Sequence, residues 1–126
     1  MSQVDETLAE FGRGLGIDGL RFNDKGHVVL SIQSLGLLAF DRAGPRGESV
    51  LVSLTQGLPR GWDRQWASLL AQTHSRARPP AGLQVGVVHE KLVFAIVLDS
   101  SDFTLPRIHE VITALDRQHT SLEGGR

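Results

Sequence analysis

Two His-Glu pairs are the residues of this 126-residue chain best suited to metal chemistry. His89-Glu90 and His109-Glu110 each begin like the zinc-protease motif. That motif needs a second histidine four residues later, so that both imidazoles point from one helical face at the metal. Those later positions hold Val93 and Thr113 instead. Neither pair can complete the motif, so we interpret both as surface histidines.

A second candidate is the glycine-rich stretch Gly12-x-Gly14-x-Gly16. A dinucleotide-binding loop follows a strand and opens a helix, because the amides at a helix N-terminus bind the phosphates. These glycines lie instead where the first predicted helix ends, and the helix dipole there has the wrong sign for an anion. We therefore predict no bound nucleotide.

Nucleophilic and acid–base catalysis have equally little support. No serine lies in a Gly-x-Ser-x-Gly elbow, and the absence of cysteine removes thiolate nucleophiles and cysteine-based metal sites. Two carboxylates could still meet in space, but the sequence singles out no pair. The chain is therefore predicted to be no enzyme and to need no cofactor or metal.

Composition excludes further classes of partner. A net charge of −1 argues against nucleic acid, since the arginines, Arg42 among them, are scattered like a solvated surface. The N-terminus has neither the basic nor the apolar stretch of a signal peptide, and the longest apolar run, 92–98, is far too short to span a membrane. We expect a soluble cytoplasmic protein without membrane insertion, with residues 1–126 forming one domain.

Hydrophobic periodicity predicts an α+β fold in the order α-β-β-β-α-β-β-α, with one twisted antiparallel sheet and flanking helices. The predicted helices cover residues 3–15, 62–76 and 105–122, and the predicted strands cover 27–33, 35–42, 49–55, 83–88 and 91–99. The last strand is apolar on both faces, so we expect both faces to be covered. Such a strand is central in its sheet or buried by a second copy of the chain.

Two tryptophans mark the middle of the chain. Trp62 and Trp66 lie one helical turn apart and share an apolar stripe with Leu69 and Leu70. They could be core residues, or they could lie in a dimer interface, where large aromatics ringed by polar groups are enriched. The nearby strand that is apolar on both faces favours the interface. An open apolar groove beside a sheet edge could in turn accept a partner as an added strand or as an amphipathic helix.

The order of motifs along nearly the whole chain resembles that of the class I type III secretion chaperones (Tir-chaperone-like). Their first helix has a Leu-Gly-x-x-Leu-Gly-Leu type ending, which Phe11-Gly12-x-x-Leu15-Gly16-Ile17 fills here. A Phe-Asp-x-x-Gly-like turn follows as Phe22-Asn23-Asp24-Lys25-Gly26, and Gly57-Leu58-Pro59 breaks the sheet before the second helix. Phe103-Thr104-Leu105-Pro106-x-x-His109 is similar to the SycN-type members, which pair with a different chaperone subunit to hold the gatekeeper protein that plugs the secretion apparatus.

The resemblance implies an ATP-independent chaperone that acts as a dimer. Its partner would be the N-terminal segment of a secreted client protein, held in extended, export-competent form. By analogy, the dimer interface would comprise Trp62, Trp66, Leu69, Leu70, Val85 and Val87. The client-binding residues would be drawn from Leu8, Phe11, Phe22, Val28, Leu30 and Ile32, some of which must be core.

The subunit composition has two readings. Members of the family are commonly markedly acidic, whereas this chain has a pI near 6.5 and five histidines. That departure favours half of a heterodimer, which shares its task with a second, acidic chaperone subunit. The alternative is a homodimeric effector chaperone or a small regulatory protein-binding domain.

Overall fold

The computed structural model describes residues 2–57, 83–89 and 91–124. The elements in these ranges are α1 (Gln3–Gly14), β1 (His27–Ile32), β2 (Gly36–Ala43), β3 (Ser49–Gly57), β4 (Leu83–Val88), β5 (Lys91–Asp99), a 3₁₀ turn (Ser100–Asp102) and α2 (Leu105–Gly124). The predicted α+β fold is confirmed, and each of these helices and strands ends close to its predicted bounds. The helix predicted over 62–76 lies outside the described residues.

The five strands of the described ranges form one antiparallel sheet in the order β1-β2-β3-β5-β4. The first three strands form a meander with short connections. The β4–β5 hairpin then returns so that β5 pairs with β3. Strand β5 therefore has a strand on each side, which fits the first of the two alternatives given for its apolar sequence, and β1 and β4 are the two edges.

The two faces of the sheet differ in their cover. The inner face packs against α1 and α2, and its residues Phe40 and Phe94 are fully buried. The outer face carries Val29, Leu37 and Val97, which are 45%, 37% and 40% exposed. The single chain therefore leaves Val97 of β5 partly exposed, and cover of this face by a second copy of the chain stays a prediction. Because valine suits a strand by its shape as well as by its burial, an apolar residue there does not require a covered face.

Local contacts fix both ends of α1. The Asp5 N–H donates to Ser2 Oγ (3.2 Å) and the Ser2 N–H donates to Asp5 Oδ2 (3.3 Å), which is a capping box. Just beyond the helix, Gly16 adopts a φ of 83°, a conformation that costs glycine little. Gly12 packs so closely on Leu20 that a Cβ at residue 12 would lie 2.6 Å from the Leu20 Cβ. These contacts return the chain toward the sheet.

A side-chain cap precedes helix α2. The Arg107 N–H donates to Thr104 Oγ1 at 3.3 Å, and Ile108, Val111 and Leu115 form the buried stripe that packs on β3 and β5. In the part of the chain that the structure describes, neither helix is long and apolar enough to cross a membrane.

Candidate functional site

Along β1 the core covers a row of apolar side chains only in part. Each of them packs against the buried core and keeps some accessible surface, because β1 has a neighbouring strand on one side only. We call this set the β1 strip: Phe22, Val28, Leu30 and Ile32. Their counterparts one strand further in, Leu38 and Phe40, have no exposed surface.

The other two predicted client-binding residues, Leu8 and Phe11, lie in the core. They are 0% and 4% exposed, and the Phe11 ring packs edge-on against Phe40 with centroids 5.5 Å apart. The residues predicted as one set therefore divide into an accessible strip and buried residues beneath it. Leu8 and Phe11 shape this region and offer a partner almost no surface.

The turn that leads into β1 is held by one side chain. Asn23 Oδ1 accepts hydrogen bonds from the N–H groups of Lys25 (2.9 Å) and His27 (3.0 Å). The Gly26 N–H donates to the Asn23 carbonyl (2.9 Å) with a φ of 75° at Gly26. The predicted tight turn is therefore confirmed, and it positions Phe22 at the start of the β1 strip.

Arg42 is the positioning residue that the sequence interpretation missed. Its Nη2 donates to the Gly47 carbonyl (2.8 Å), its Nη1 donates to Ser2 Oγ (3.3 Å), and its guanidinium carbon lies 5.8 Å from the centroid of the Phe22 ring. The interpretation of Arg42 as a solvated surface residue is wrong, because its position on β2 directs it to the inner face. The signal was available, since Arg42 has the same parity along β2 as the buried Phe40.

The N-terminus of α1 is electrostatically coupled to Arg42. The Ser2 hydroxyl donates to Asp5 Oδ2 at 2.7 Å and lowers the pKa of Asp5, and the nearby positive charge of Arg42 acts in the same direction. Arg42 Nη1 lies 3.9 Å from Asp5 Oδ1. The helix N-terminus, the turn after β2 and Phe22 are thus joined by one side chain.

The four histidines among the described residues differ in their surroundings. His89 and His109 are exposed, as predicted, and His27 contacts Asp41 on the outer face. His119 is 3% exposed and its Nε2 lies 2.9 Å from the Leu54 carbonyl oxygen, where it continues the buried stripe of α2. No group of three or more His, Asp or Glu side chains that could hold a metal occurs among the described residues.

Two of the predicted dimer-interface residues lie among the described residues, at the edge of the sheet opposite β1. Val85 and Val87 are on β4, half-buried, and pack against the core. Trp62, Trp66, Leu69 and Leu70 lie outside the described residues. The interface therefore stays a prediction.

Comparison with known proteins relates this architecture to solved structures. No protein-family model and no curated protein matches the sequence. A chain of the HopA1–SchA chaperone–effector complex is 17% identical, with a TM-score of 0.70, covering 94% of this chain and 91% of that one. A chain of the ExsC–ExsE complex is 20% identical, with a TM-score of 0.71, covering 96% and 91%.

A third similar structure contains the Yersinia pestis type III secretion chaperone SycH in complex with a stable fragment of YscM2. It is 15% identical over 95% of this chain and 99% of that one, with a TM-score of 0.70. Identities this low establish the fold alone. The chain has the fold of the type III secretion chaperones.

Proposed function

We propose that this chain is a type III secretion chaperone that binds the N-terminal segment of a secreted protein and keeps it competent for export. The observation that carries the proposal is a partly covered apolar strip on an edge strand of the secretion-chaperone fold. Two of the similar structures support it, because one is a chaperone–effector complex and another holds a chaperone with a protein fragment. The proposed activity is binding, without a catalysed reaction.

The physical demands of such binding match the β1 edge. A disordered segment loses conformational entropy when it becomes ordered, so its binding must bury apolar surface and form hydrogen bonds that offset the loss. An edge strand supplies main-chain donors and acceptors, and the β1 strip supplies apolar surface. A segment bound in this way stays extended, and its release unfolds no compact domain.

We extend the proposal to a cytoplasmic heterodimer whose client is the gatekeeper protein of the secretion apparatus. Its support is the similarity of residues 103–109 to the SycN-type chaperones and the pI near 6.5, and β4 with Val85 and Val87 would contact the second subunit. The test is the native mass of the chain expressed alone and together with a second small chaperone. Solubility that depends on co-expression supports the heterodimer, whereas a stable species of twice 13.7 kDa supports the homodimer.

Binding can be tested with two matched variants. Val29 and Val97 are both outward-facing valines with similar exposure (45% and 40%), but Val29 lies on β1 and Val97 lies on β5. We expect an N-terminal fragment of one secreted protein to co-elute with the wild-type chain and with Val97→Asp. Val29→Asp should lose about tenfold or more in affinity, since a charge opposes docking of an apolar segment beside it. Equal binding by both variants would contradict client binding at β1.

A further inference from the structure

The main-chain groups at the open side of β1 can be assigned from the register of the sheet. In an antiparallel ladder, hydrogen-bonded and non-hydrogen-bonded pairs alternate. The Arg42 N–H donates to the Gly26 carbonyl at 2.7 Å, so Val28 and Leu30 also direct their main-chain groups toward β2. His27, Val29 and Ser31 therefore direct theirs away from the sheet.

Asn23 already occupies the first of these three positions. The Asn23 N–H donates to the His27 carbonyl (2.9 Å), and the His27 N–H donates to Asn23 Oδ1 (3.0 Å). Two residues of an antiparallel pair exchange their hydrogen bonds in the same way, except that a side-chain oxygen here replaces a main-chain carbonyl. Asn23 thus acts as a one-residue neighbouring strand for His27.

At the other end, β1 stops at the hairpin. The Leu35 N–H donates to the Ile32 carbonyl at 3.0 Å, so the chain turns immediately after Ser31 and Ile32. Within the described residues, the edge groups of Val29 and Ser31 have no hydrogen-bond partner. The edge that remains for an added strand is a window of these two residues.

We propose that Asn23 is a register stop, which restricts strand addition at β1 to Val29 and Ser31. This inference rests on the proposed function and deepens it, because it defines the chemistry of the segment that binds. The occupant is an extended client segment. Its residues opposite Val29 and Ser31 lie on the outer face, and its residue opposite Leu30 lies on the inner face.

The side chains around the window set the preferred sequence of that segment. A residue opposite Leu30 forms a non-hydrogen-bonded pair, in which side chains approach most closely, and it contacts the β1 strip between Val28 and Ile32. The segment should therefore carry an apolar residue at that centre and at alternate positions beside it. Opposite the exposed Val29 and Ser31, a threonine or serine is tolerated.

Amide hydrogen exchange of the full chain, with and without a peptide, tests the stop. The probe is a short synthetic peptide in which valine or leucine alternates with serine or threonine. In the free wild-type chain we expect a protected His27 amide and rapidly exchanging Val29 and Ser31 amides. Added peptide should slow Val29 and Ser31 by about tenfold or more and leave His27 unchanged.

Asn23→Ala removes the side-chain acceptor and should free the His27 amide. We expect that amide to exchange about tenfold faster in the free variant and to become protected when peptide is added. Asn23→Asp keeps an oxygen acceptor and should behave as the wild type. Asp24→Ala is the matched control, since Asp24 is exposed in the same turn and its side chain makes no hydrogen bond among the described residues.

The outcomes separate the stop from the proposed function. Absence of peptide protection at β1 in both wild type and Asn23→Ala would overturn strand addition and the stop with it. Peptide protection that spreads in the wild type beyond Val29 and Ser31 would overturn the stop alone. Protection of Val29 and Ser31 in the free chain that vanishes on dilution would show that a second copy occupies the edge, which also overturns the proposal.

A set of peptides with one N-methylated amide each supplies an independent check. N-methylation removes a single donor, so only the two positions paired with Val29 and Ser31 should lose affinity in the wild type, by about tenfold each. In Asn23→Ala the same two positions should be sensitive, because the residue-23 N–H still donates to the His27 carbonyl and the variant frees only the His27 amide, which pairs with a peptide carbonyl. Three sensitive positions in the wild type would overturn the stop.

Discussion

The two edges of the sheet present opposite combinations of main chain and side chain. At β1, Val29 and Ser31 direct their main-chain groups outward, and their side chains are exposed on the outer face. At β4 the parity is reversed. The Ser100 N–H donates to the Glu48 carbonyl at 2.7 Å, which fixes which residue pairs are hydrogen-bonded between β3 and β5 and, in turn, between β5 and β4. By this alternation Val85 and Val87 direct their main-chain groups away from the sheet, while their side chains pack on the core.

This difference suits the edges to different partners. A strand added at β4 would form its hydrogen bonds beside Val85 and Val87, whose side chains already pack on the core. Such a strand would extend both the sheet and the hydrophobic core, as in a permanent interface. A strand added at β1 would be short, because Asn23 closes one end and the hairpin closes the other. A short pairing beside a half-buried strip fits the proposed client, which must later leave.

The largest expected effect would separate the two edges by function. Val85→Asp places an unpaired charge on the half-buried inner side of β4 and should convert the proposed homodimer or heterodimer to monomers while binding of the proposed client is kept. Leu30→Asp places a charge in the same way on β1 and should abolish binding of the proposed client while the native mass stays that of the proposed dimer. Gel filtration with and without the client fragment measures both.

Controls for this pair are available on the same strands. Gln84→Asp, which adds a charge on the exposed side of β4, should change neither mass nor binding. Thermal unfolding of each variant shows whether the fold is kept, and Leu30→Ser is the milder substitution if it is not. One variant that removed dimer and client together, with the fold intact, would contradict the division between the edges.

The sequence predicted which apolar residues share a face, but it did not predict which of them are buried and which are accessible to a partner. Alternation in residues 27–33 identifies Val28, Leu30 and Ile32 as one face, and helical spacing identifies Leu8 and Phe11 in the same way. Neither pattern shows how much of each side chain is covered. That depends on β1 being an edge and β2 an interior strand, which follows from pairing between distant segments.

Polar residues with a structural role were harder to predict. Arg42 lies on the buried face of β2 and His119 on the buried face of α2. Because both residues are polar, each looks in the sequence like a break in the apolar pattern that it continues. The Arg42 bond to the Gly47 carbonyl spans a turn, and the His119 contact with the Leu54 carbonyl joins distant parts of the chain. Local residue spacing predicts neither. The role of Asn23 is different, because a turn was predicted there but its bonds to the edge of β1 were not.

A smaller effect tests whether Arg42 supports one edge only. Arg42→Leu removes its hydrogen bonds to Gly47 and Ser2 and its position over Phe22, and should lower the free energy of unfolding by about 1–3 kcal/mol. It should also weaken client binding, because Phe22 loses its support, and should leave the dimer unchanged. Urea unfolding and gel filtration measure these, with the exposed Arg46→Leu as the matched control. A loss of the dimer would mean that Arg42 supports both edges.

The smallest effect concerns the capping box that α1 presents to Arg42. Ser2→Ala should cost about 0.5–2 kcal/mol near neutral pH, because Asp5 loses both the hydroxyl that donates to its carboxylate and the oxygen that accepts from its N–H. The bonded carboxylate has a folded-state pKa below its unfolded value, so its contribution is full above the unfolded pKa. It disappears as the pH falls through the folded value. The difference between wild type and Ser2→Ala in urea unfolding should therefore narrow on acidification, whereas a difference that stayed constant would assign the loss to the Asp5 N–H bond alone.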